Sequence, residues 1–390
     1  MDILIKFSNA FWNEDVWLPP NITWKDIEPG SREDIVYADY RHLLWPIPIS
    51  FIIIVLRIAV ENYWIMPVGR SLGIKSTKAK APIPNKTLEI TYSKMSKLNH
   101  KTIVNLTKQL DLTERQIERW WRRRKAQDKP TTLKKFCENV WRCMYYTYSF
   151  IFGIIVMWDK SWLWDIKQCW YSYPHQSIHN DVWWYYMISM SFYWSLTFSQ
   201  FLDNKRKDFW QMFIHHVLTL VLISLSWMCN LHRVGSLVLI VHDFADILLE
   251  AAKFLKYANL QKACDIVFGL FTISWIVTRL GLFPRIIYSS TVEAPQILPM
   301  YPVYYIFNSL LIMLLVLHFI WTYMILQVVV QTIKAGQMEG DVRSSSDEVS
   351  DSSENRDKPV LQNGSGTPLK ENNKSSPSRL TSKSNNIQQD

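Results

Sequence analysis

The sequence predicts an all-α, polytopic membrane protein of about seven transmembrane helices, with a small helical module inserted after the first. Three observations predict it. Apolar runs of about 20 residues recur along the chain, the length a helix needs to cross a hydrocarbon layer of ~30 Å. Lys and Arg crowd alternate connections between those runs. One connection is long, basic and amphipathic, which marks a folded module and not a simple loop. The 390 residues are 48% hydrophobic and carry a net charge of +9, yet the mean hydropathy is close to zero. That average hides a split between apolar runs, a basic block and a polar tail.

In chain order, residues 1–42 precede the first run. Met1–Glu14 carry one Lys and two acids and lack an apolar core long enough for a cleavable signal peptide, so the first span, Leu43–Ile65, is expected to act as signal anchor. Within it Arg57 and Glu61, one turn apart, read as a structural ion pair. A soluble module is expected over 73–130, and a membrane domain over 131–334 with spans at Val140–Trp158, Trp183–Phe201, Gln211–Met228, Ser236–Leu255, Ile266–Ile287 and Val303–Val330. A short Pro-containing loop, Tyr288–Pro302, separates the last two. From Gly336 the chain turns Ser/Asn/Asp/Lys-rich, which predicts a disordered tail over 335–390. Cys137, Cys143, Cys169, Cys229 and Cys264 show no paired metal spacing and read as free thiols, with a disulfide between Cys169 and Cys229, both near the lumenal face, as the alternative.

Charge sets the orientation. The connection after the first span holds Lys75, Lys78, Lys80, Lys86 and the run Arg122–Lys125; that after the third is Asp203-Asn204-Lys205-Arg206-Lys207; that after the fifth carries Lys253, Lys256 and Lys262. The intervening connections are poor in Lys and Arg. The positive-inside rule places the first set in the cytosol, the N-terminus in the lumen and the C-terminus in the cytosol. The sequon Asn21-Ile22-Thr23 then lies on the lumenal side and is a candidate glycosylation site, whereas Asn85-Lys86-Thr87 and Asn105-Leu106-Thr107 fall on the cytosolic side and are expected to carry no glycan.

Leu88–Lys129 reads as a helical module. Thr113 with Gln116 three residues on is a capping box, and Leu98, Ile103, Leu106, Leu110, Leu112, Ile117 and Trp120-Trp121 supply an apolar stripe. The helix beginning near Thr113 ends in Trp120-Trp121-Arg122-Arg123-Arg124-Lys125. This resembles the last two helices of a homeodomain. That family reads bases through an Asn two residues beyond its aromatic pair, and here Arg123 stands at that position. The resemblance therefore implies a truncated module without the base contact. A basic helix beside a bilayer suits anionic headgroups or a polyanion such as coenzyme A, and a membrane-tethered DNA-binding regulator stands as the alternative function.

The chemistry concentrates in the fourth and fifth spans. His215-His216 lies in one and His242-Asp243-Phe244-Ala245-Asp246, followed by Glu250, in the next. Three carboxylates near a bilayer centre cost roughly 9 kcal/mol at about 3 kcal/mol each. Some fifteen or more Leu/Ile side chains would be needed to offset them. Neighbours on a helix point about 100° apart, so His215 and His216 are expected to diverge, one to a cavity and the other to a partner helix. Asp243, Asp246 and Glu250 recur at three- and four-residue spacing and are expected on one face. The bland reading is a buried network with Glu250 paired to Lys253 or Lys256. His215, His216, Asp243, Asp246 and Glu250, five ionisable groups on two consecutive spans, favour a site instead, with Arg279 an ambiguous neighbour. A zinc site at His216 and two aspartates has no supporting ligand spacing, so no metal is expected. The HxxxH and HxxHH boxes of a membrane di-iron enzyme are lacking, and a seven-span receptor leaves the His/Asp pairing unexplained.

The run from Ser195-Leu196-Thr197-Phe198 through Asp203–Phe209, His215-His216 and His242-Asp243-x-x-Asp246 to Leu249–Lys253 resembles the Lag motif of ceramide synthases, within the TLC domain. The resemblance spans about Asn9 to Lys334, including Trp24-Lys25-Asp26, the homeodomain-like insert and Thr278-Arg279-Leu280-Gly281. It implies a multi-pass endoplasmic-reticulum sphingosine N-acyltransferase whose substrates are a fatty acyl-CoA and a sphingoid base, and it allows a homo- or hetero-dimer with related synthases. A thioester is already activated, so no cofactor beyond the acyl-CoA co-substrate is expected. The attacking amine is mostly protonated at neutral pH, since such amines have pKa values near 10. His215 or His216 is expected to remove its proton, or to attack the thioester first, with Asp243 or Asp246 orienting the imidazole. Lys205, Arg206 and Lys207 are candidates to attract the coenzyme A phosphates. In the tail, Ser344 and Ser345 each precede an acid by three residues, Asp347 and Glu348, a pattern that suits an acidophilic kinase such as casein kinase 2.

Overall fold

The structure, a computed structural model, describes residues 6, 8, 10–78, 80–95, 98–202 and 208–336. Lys205, Arg206, Lys207, Ser344 and Ser345 lie outside the described residues. The long elements are helices: α1 (Pro46–Val60), α2 (Lys86–Lys94), α3 (His100–Leu110), α4 (Glu114–Asp128), α5 (Thr132–Met157), α6 (Asn180–Leu202), α7 (Phe209–Met228), α8 (His232–Tyr257), α9 (Gln261–Trp275) and α10 (Val303–Ala335).

Among the described residues, five helical segments are long and apolar enough to cross a membrane: Tyr40–Ser71, Glu114–Met157 (which holds α5), Phe209–Met228, Gln261–Ile297 and Val303–Ala335. The other two expected spans coincide with α6 and α8, of 23 and 26 residues. Both are long enough, but α8 carries His232, Arg233, His242, Asp243, Asp246, Glu250 and Lys253, and α6 is rich in Ser, Tyr and Trp. Those residues dilute the apolar signal.

Pro46 opens α1, where its missing N–H costs nothing. Phe51, Ile52, Val55, Leu56 and Ile58 of that helix are exposed, an apolar surface suited to lipid. Arg57 Nε donates to Glu61 Oε1 at 2.7 Å, the expected i,i+4 pair. The insert has three helices, not two. Asn85 caps α2 by accepting from the amides of Thr87 and Leu88, a signal the apolar stripe alone does not carry. The Thr113–Gln116 capping box opens α4 as expected. Leu88, Leu106, Ile117, Trp120 and Trp121 close a small core, and Trp120 Nε1 donates to the Ile83 carbonyl at 2.7 Å.

Arg124 ties α4 to α2 through Glu89 Oε1 (2.7 Å) and bonds Asp128 one turn on, while Tyr92 donates to Asp128 Oδ2 at 2.8 Å. Burial drives the Tyr92 phenol, reinforced by that bond, up to about 12. Burial also works to raise Asp128, but the bonds from Arg124 and Tyr92 outweigh it and hold the carboxyl below its usual range. A depressed carboxylate stabilises above its unfolded pKa of about 4 and loses that contribution as pH falls through the folded value. Asp128→Asn is therefore expected to speed amide exchange across residues 84–130 by up to about fivefold at pH 7. The difference from wild type shrinks below about pH 4. Exchange measured by mass spectrometry at both pH values checks this.

Tight turns fold α7, α8 and α9 into an antiparallel series. Asn230 and Asn259 take left-handed backbone angles (φ 57° and 59°), tolerated by Asn better than by most residues. The Asn230 amide also donates to the carbonyls of Pro174 and Gln176 at 2.7 and 2.9 Å, locking the turn to the α5–α6 connection. α8 lies between α5 and α9; α6 packs on α1 and α7, and α7 on α10. Gly235 on α8 makes room for Tyr186: a Cβ there would stand 1.8 Å from the Tyr186 hydroxyl, which bonds Ser226 Oγ and the His232 carbonyl. The N-terminal segment covers this end, with Tyr37 Oη 2.7 Å from His175 Nδ1 and the Ile178 amide donating to Val36 O.

The expected loop Tyr288–Pro302 is largely helical. α9 continues through a wide π turn (Ile276–Leu282), Phe283–Tyr288, a second π turn (Ser289–Glu293) and Ala294–Ile297. Pro284 and Pro295 sit in first-turn positions, where a missing amide is tolerated, and so do not break the rod. Cys169 and Cys229 are buried free thiols.

Candidate active site

A cavity of about 190 Å³ lies among α5–α10. α7 contributes His215 and His216, α8 His242, Asp246, Glu250 and Lys253, α6 Gln200, and α10 His318 and Trp321. Arg279 enters from the π turn after α9. A π turn admits one extra residue and rotates the residues beyond it, a feature common at functional sites.

The partners fix the chemistry of each ring. The Gln200 side-chain amide donates through Nε2 to the Phe209 carbonyl (2.7 Å), so its Oε1 faces His216 Nδ1 at 2.9 Å. An amide oxygen only accepts, so His216 carries its proton on Nδ1 and keeps the Nε2 lone pair. His215 packs edge-on against Trp321, centroids 5.1 Å apart, and its buried Nδ1 has no hydrogen-bond partner. His242 Nε2 lies 3.2 Å from His318 Nε2. Arg279, only 3% exposed, donates to the carbonyls of His242 (2.8 Å) and Val241 (3.2 Å) and to Asp246 Oδ2 (3.2 Å), with its guanidinium 5.0 Å above the Trp275 ring. Lys253 and Glu250 form a 2.8 Å ion pair on the same wall.

Four expected site residues are thus resolved. His215, His216 and Asp246 meet at the cavity. Asp243 is not among the lining residues; it is buried against α5, accepting from Ser149 Oγ at 2.7 Å. Three residues turn a helix 300°, so Asp243 and Asp246 differ by about 60°, enough for one to meet α5 and the other the cavity. The two adjacent histidines diverge as expected, His216 toward Gln200 on α6 and His215 toward Trp321 on α10, but both line the cavity because it spreads between those two helices. His242 and His318 are site residues not singled out from sequence as such. A lone His in the apolar 33-residue α10 is the signal that was available for His318. Among the described residues no three His, Cys, Asp or Glu side chains converge to hold a metal ion.

A second, apolar cavity of about 50 Å³ shares Tyr193, His215 and His242 with the first, and a third, of about 60 Å³ beside Ala294–Tyr301, shares Val234, Phe307 and Leu311 with the second. Together they trace an apolar line from the imidazoles to the far end of α10.

The chain matches the TLC domain model over residues 135–327 and the homeodomain model over 84–130. It is 42% identical to ceramide synthase 5 of Mus musculus over 85% of this chain and 81% of that protein. It is 39% identical to ceramide synthase 4 of Homo sapiens over 90% of this chain and 89% of the relative, and 41% identical to human ceramide synthase 3 over 87% and 88%. With His215, His216, His242, Asp246 and Glu250 of the Lag motif in the wall of one cavity inside the helical bundle, the chain belongs to the ceramide synthase family.

Proposed function

We propose that this cavity is the active site of a sphingosine N-acyltransferase, in which a fatty acyl group passes from acyl-CoA to the amine of a sphingoid base. The observation that carries the mechanism is the meeting of imidazoles from α7, α8 and α10 at a cavity that continues into apolar space. The thioester C–S bond breaks and an amide C–N bond forms. An ammonium sheds two protons on the way: one ends on the departing sulfur and the other is released. His215 and His216 are placed to take protons, the Nε2 lone pair of His216 being available by its tautomer. The same lone pair suits attack on the thioester, giving an acyl-imidazole that the amine resolves. Asp246, paired with Arg279, supplies a fixed charge beside the imidazoles; Asp243 acts through packing and its Ser149 bond. The acyl chain follows the apolar line toward Leu311. Lys205, Arg206 and Lys207 supply positive charge that draws the coenzyme A phosphates.

The test is an acyl-transfer assay of purified protein in nanodiscs with acyl-CoA and sphinganine. Wild type forms N-acyl sphinganine, His215→Ala, His216→Ala and Asp246→Ala lose it, and a wild type that forms none overturns the reading. Radiolabel retained after acyl-CoA alone assigns the covalent route; its absence with ternary kinetics assigns direct attack.

All seven long helical segments cross the membrane in this reading. α7 and α9 are apolar, and the three-residue connections that join them to the 26-residue α8 support its traversing the same layer between them. The Lys/Arg pattern supports a lumenal N-terminus and a cytosolic C-terminus, and the family supports the endoplasmic-reticulum membrane. Asn21 is exposed at a left-handed turn (φ 67°), open to an oligosaccharyltransferase, whereas Asn85 is engaged as a helix cap. Asn21→Gln is expected to abolish the endoglycosidase-sensitive mobility shift; a shift that persists reverses the assigned topology. Ser344 and Ser345 are the proposed kinase sites. Dimers with related chains are compatible with the exposed apolar face of α1.

A further inference from the structure

His318 stands on α10 among Trp275, Phe283 and Trp321, 1% exposed, in the cavity wall. Its protonation pattern follows from its neighbours. His242 Nδ1 lies 2.6 Å from the Val238 carbonyl one turn back on α8. A carbonyl only accepts, so His242 carries its proton on Nδ1 and, when neutral, leaves Nε2 bare. The 3.2 Å contact between His242 Nε2 and His318 Nε2 then requires His318 to be the donor. A neutral imidazole with its proton on Nε2 keeps a lone pair on Nδ1. That His318 Nδ1 is buried and has no hydrogen-bond partner. A backbone carbonyl on α8 thus dictates, through two rings, an unspent basic nitrogen on α10. The ionisable groups facing it are His242 and Asp246 on α8, Arg279 after α9 and His215 on α7.

Resting on the acyl-transfer reading above, we propose that His318 is a further catalytic residue, a proton shuttle that takes a proton from the sphingoid amine at Nδ1 and returns it to the departing thiolate. As Nδ1 gains the amine proton, the Nε2 proton moves to His242 Nε2, and the charge rests on His242 with its Nδ1–H held by Val238. When the C–S bond breaks, the sequence runs backward: His242 returns its proton to His318 Nε2, and Nδ1 gives its proton to sulfur. Both rings end as they began, and the one remaining ammonium proton leaves to solvent. This sequence belongs to direct attack. On the acyl-imidazole route the thiol has already left with the attacking imidazole's proton. His318 Nδ1 then passes the amine proton instead to the imidazole released from the acylated histidine, the second ammonium proton again leaving to solvent.

His318→Gln separates chemistry from packing, since its side-chain amide keeps a donor toward His242 Nε2 but offers no titratable base. In nanodiscs with acyl-CoA and sphinganine, this variant is expected to lower kcat by about 100-fold or more. KM for both substrates and acyl-CoA protection against thermal unfolding stay near wild type. Added imidazole is expected to restore turnover to His318→Gly. Wild-type kcat in His318→Gln overturns the proposal. So does a loss of activity accompanied by loss of acyl-CoA protection, the mark of a residue that only packs. Wild type without N-acylation under the same conditions signals failure of the functional reading itself, not of His318.

Discussion

His216→Ala is expected to cut N-acylation by about 10²- to 10⁴-fold, the range a positioned acid–base group contributes. Its acyl-CoA binding should persist, because the apolar walls that hold a fatty chain are untouched. The more telling companion is Gln200→Leu. It leaves His216 in place but removes the oxygen that keeps the proton on Nδ1. One net hydrogen bond is worth about 1 kcal/mol, so a loss of up to about tenfold is expected, in kcat and not in KM. Gln200→Glu, which still accepts at that position, should recover most of it. Equal activity of Gln200→Leu and wild type across the pH range would remove the tautomer argument.

Arg279→Met is expected to destabilise the bundle by about 3–5 kcal/mol, the range seen when one partner of a buried ion pair is removed. The guanidinium satisfies Asp246 and two α8 carbonyls at once. Its loss leaves a charge and two acceptors inside the protein. Adding Asp246→Asn to Arg279→Met removes the orphaned charge and should return a large part of the stability without returning activity. Thermal unfolding of the purified single and double variants tests this: a double variant no more stable than Arg279→Met would show that the carbonyl bonds, not the ion pair, carry the effect.

Much of the architecture was legible in the chain because each signal is local. Apolar run length marks a membrane helix, the Thr113–Gln116 box marks a helix start, and Arg57–Glu61 and Glu250–Lys253 are pairs fixed by spacing on one helix. The helical stretch over 289–297 was not legible: a proline breaks a helix or merely opens its next turn depending on where the turn falls, and the π turns decide that.

Run length and residue type alone establish that ionisable groups sit inside apolar helices, and they single out His215, His216 and the α8 acids. Which of these meet depends on how the helices pack. Asp243 and Asp246 are separated by about 60° around one helix, and the packing of α5 against α8 turns the first to Ser149 and leaves the second to Arg279 and the cavity. His318 joins from a helix 76 residues away from His242, and the proton positions on three rings are set by a carbonyl and an amide on neighbouring turns and helices. Such choices depend on directions between helices, which a linear pattern of spacings does not contain.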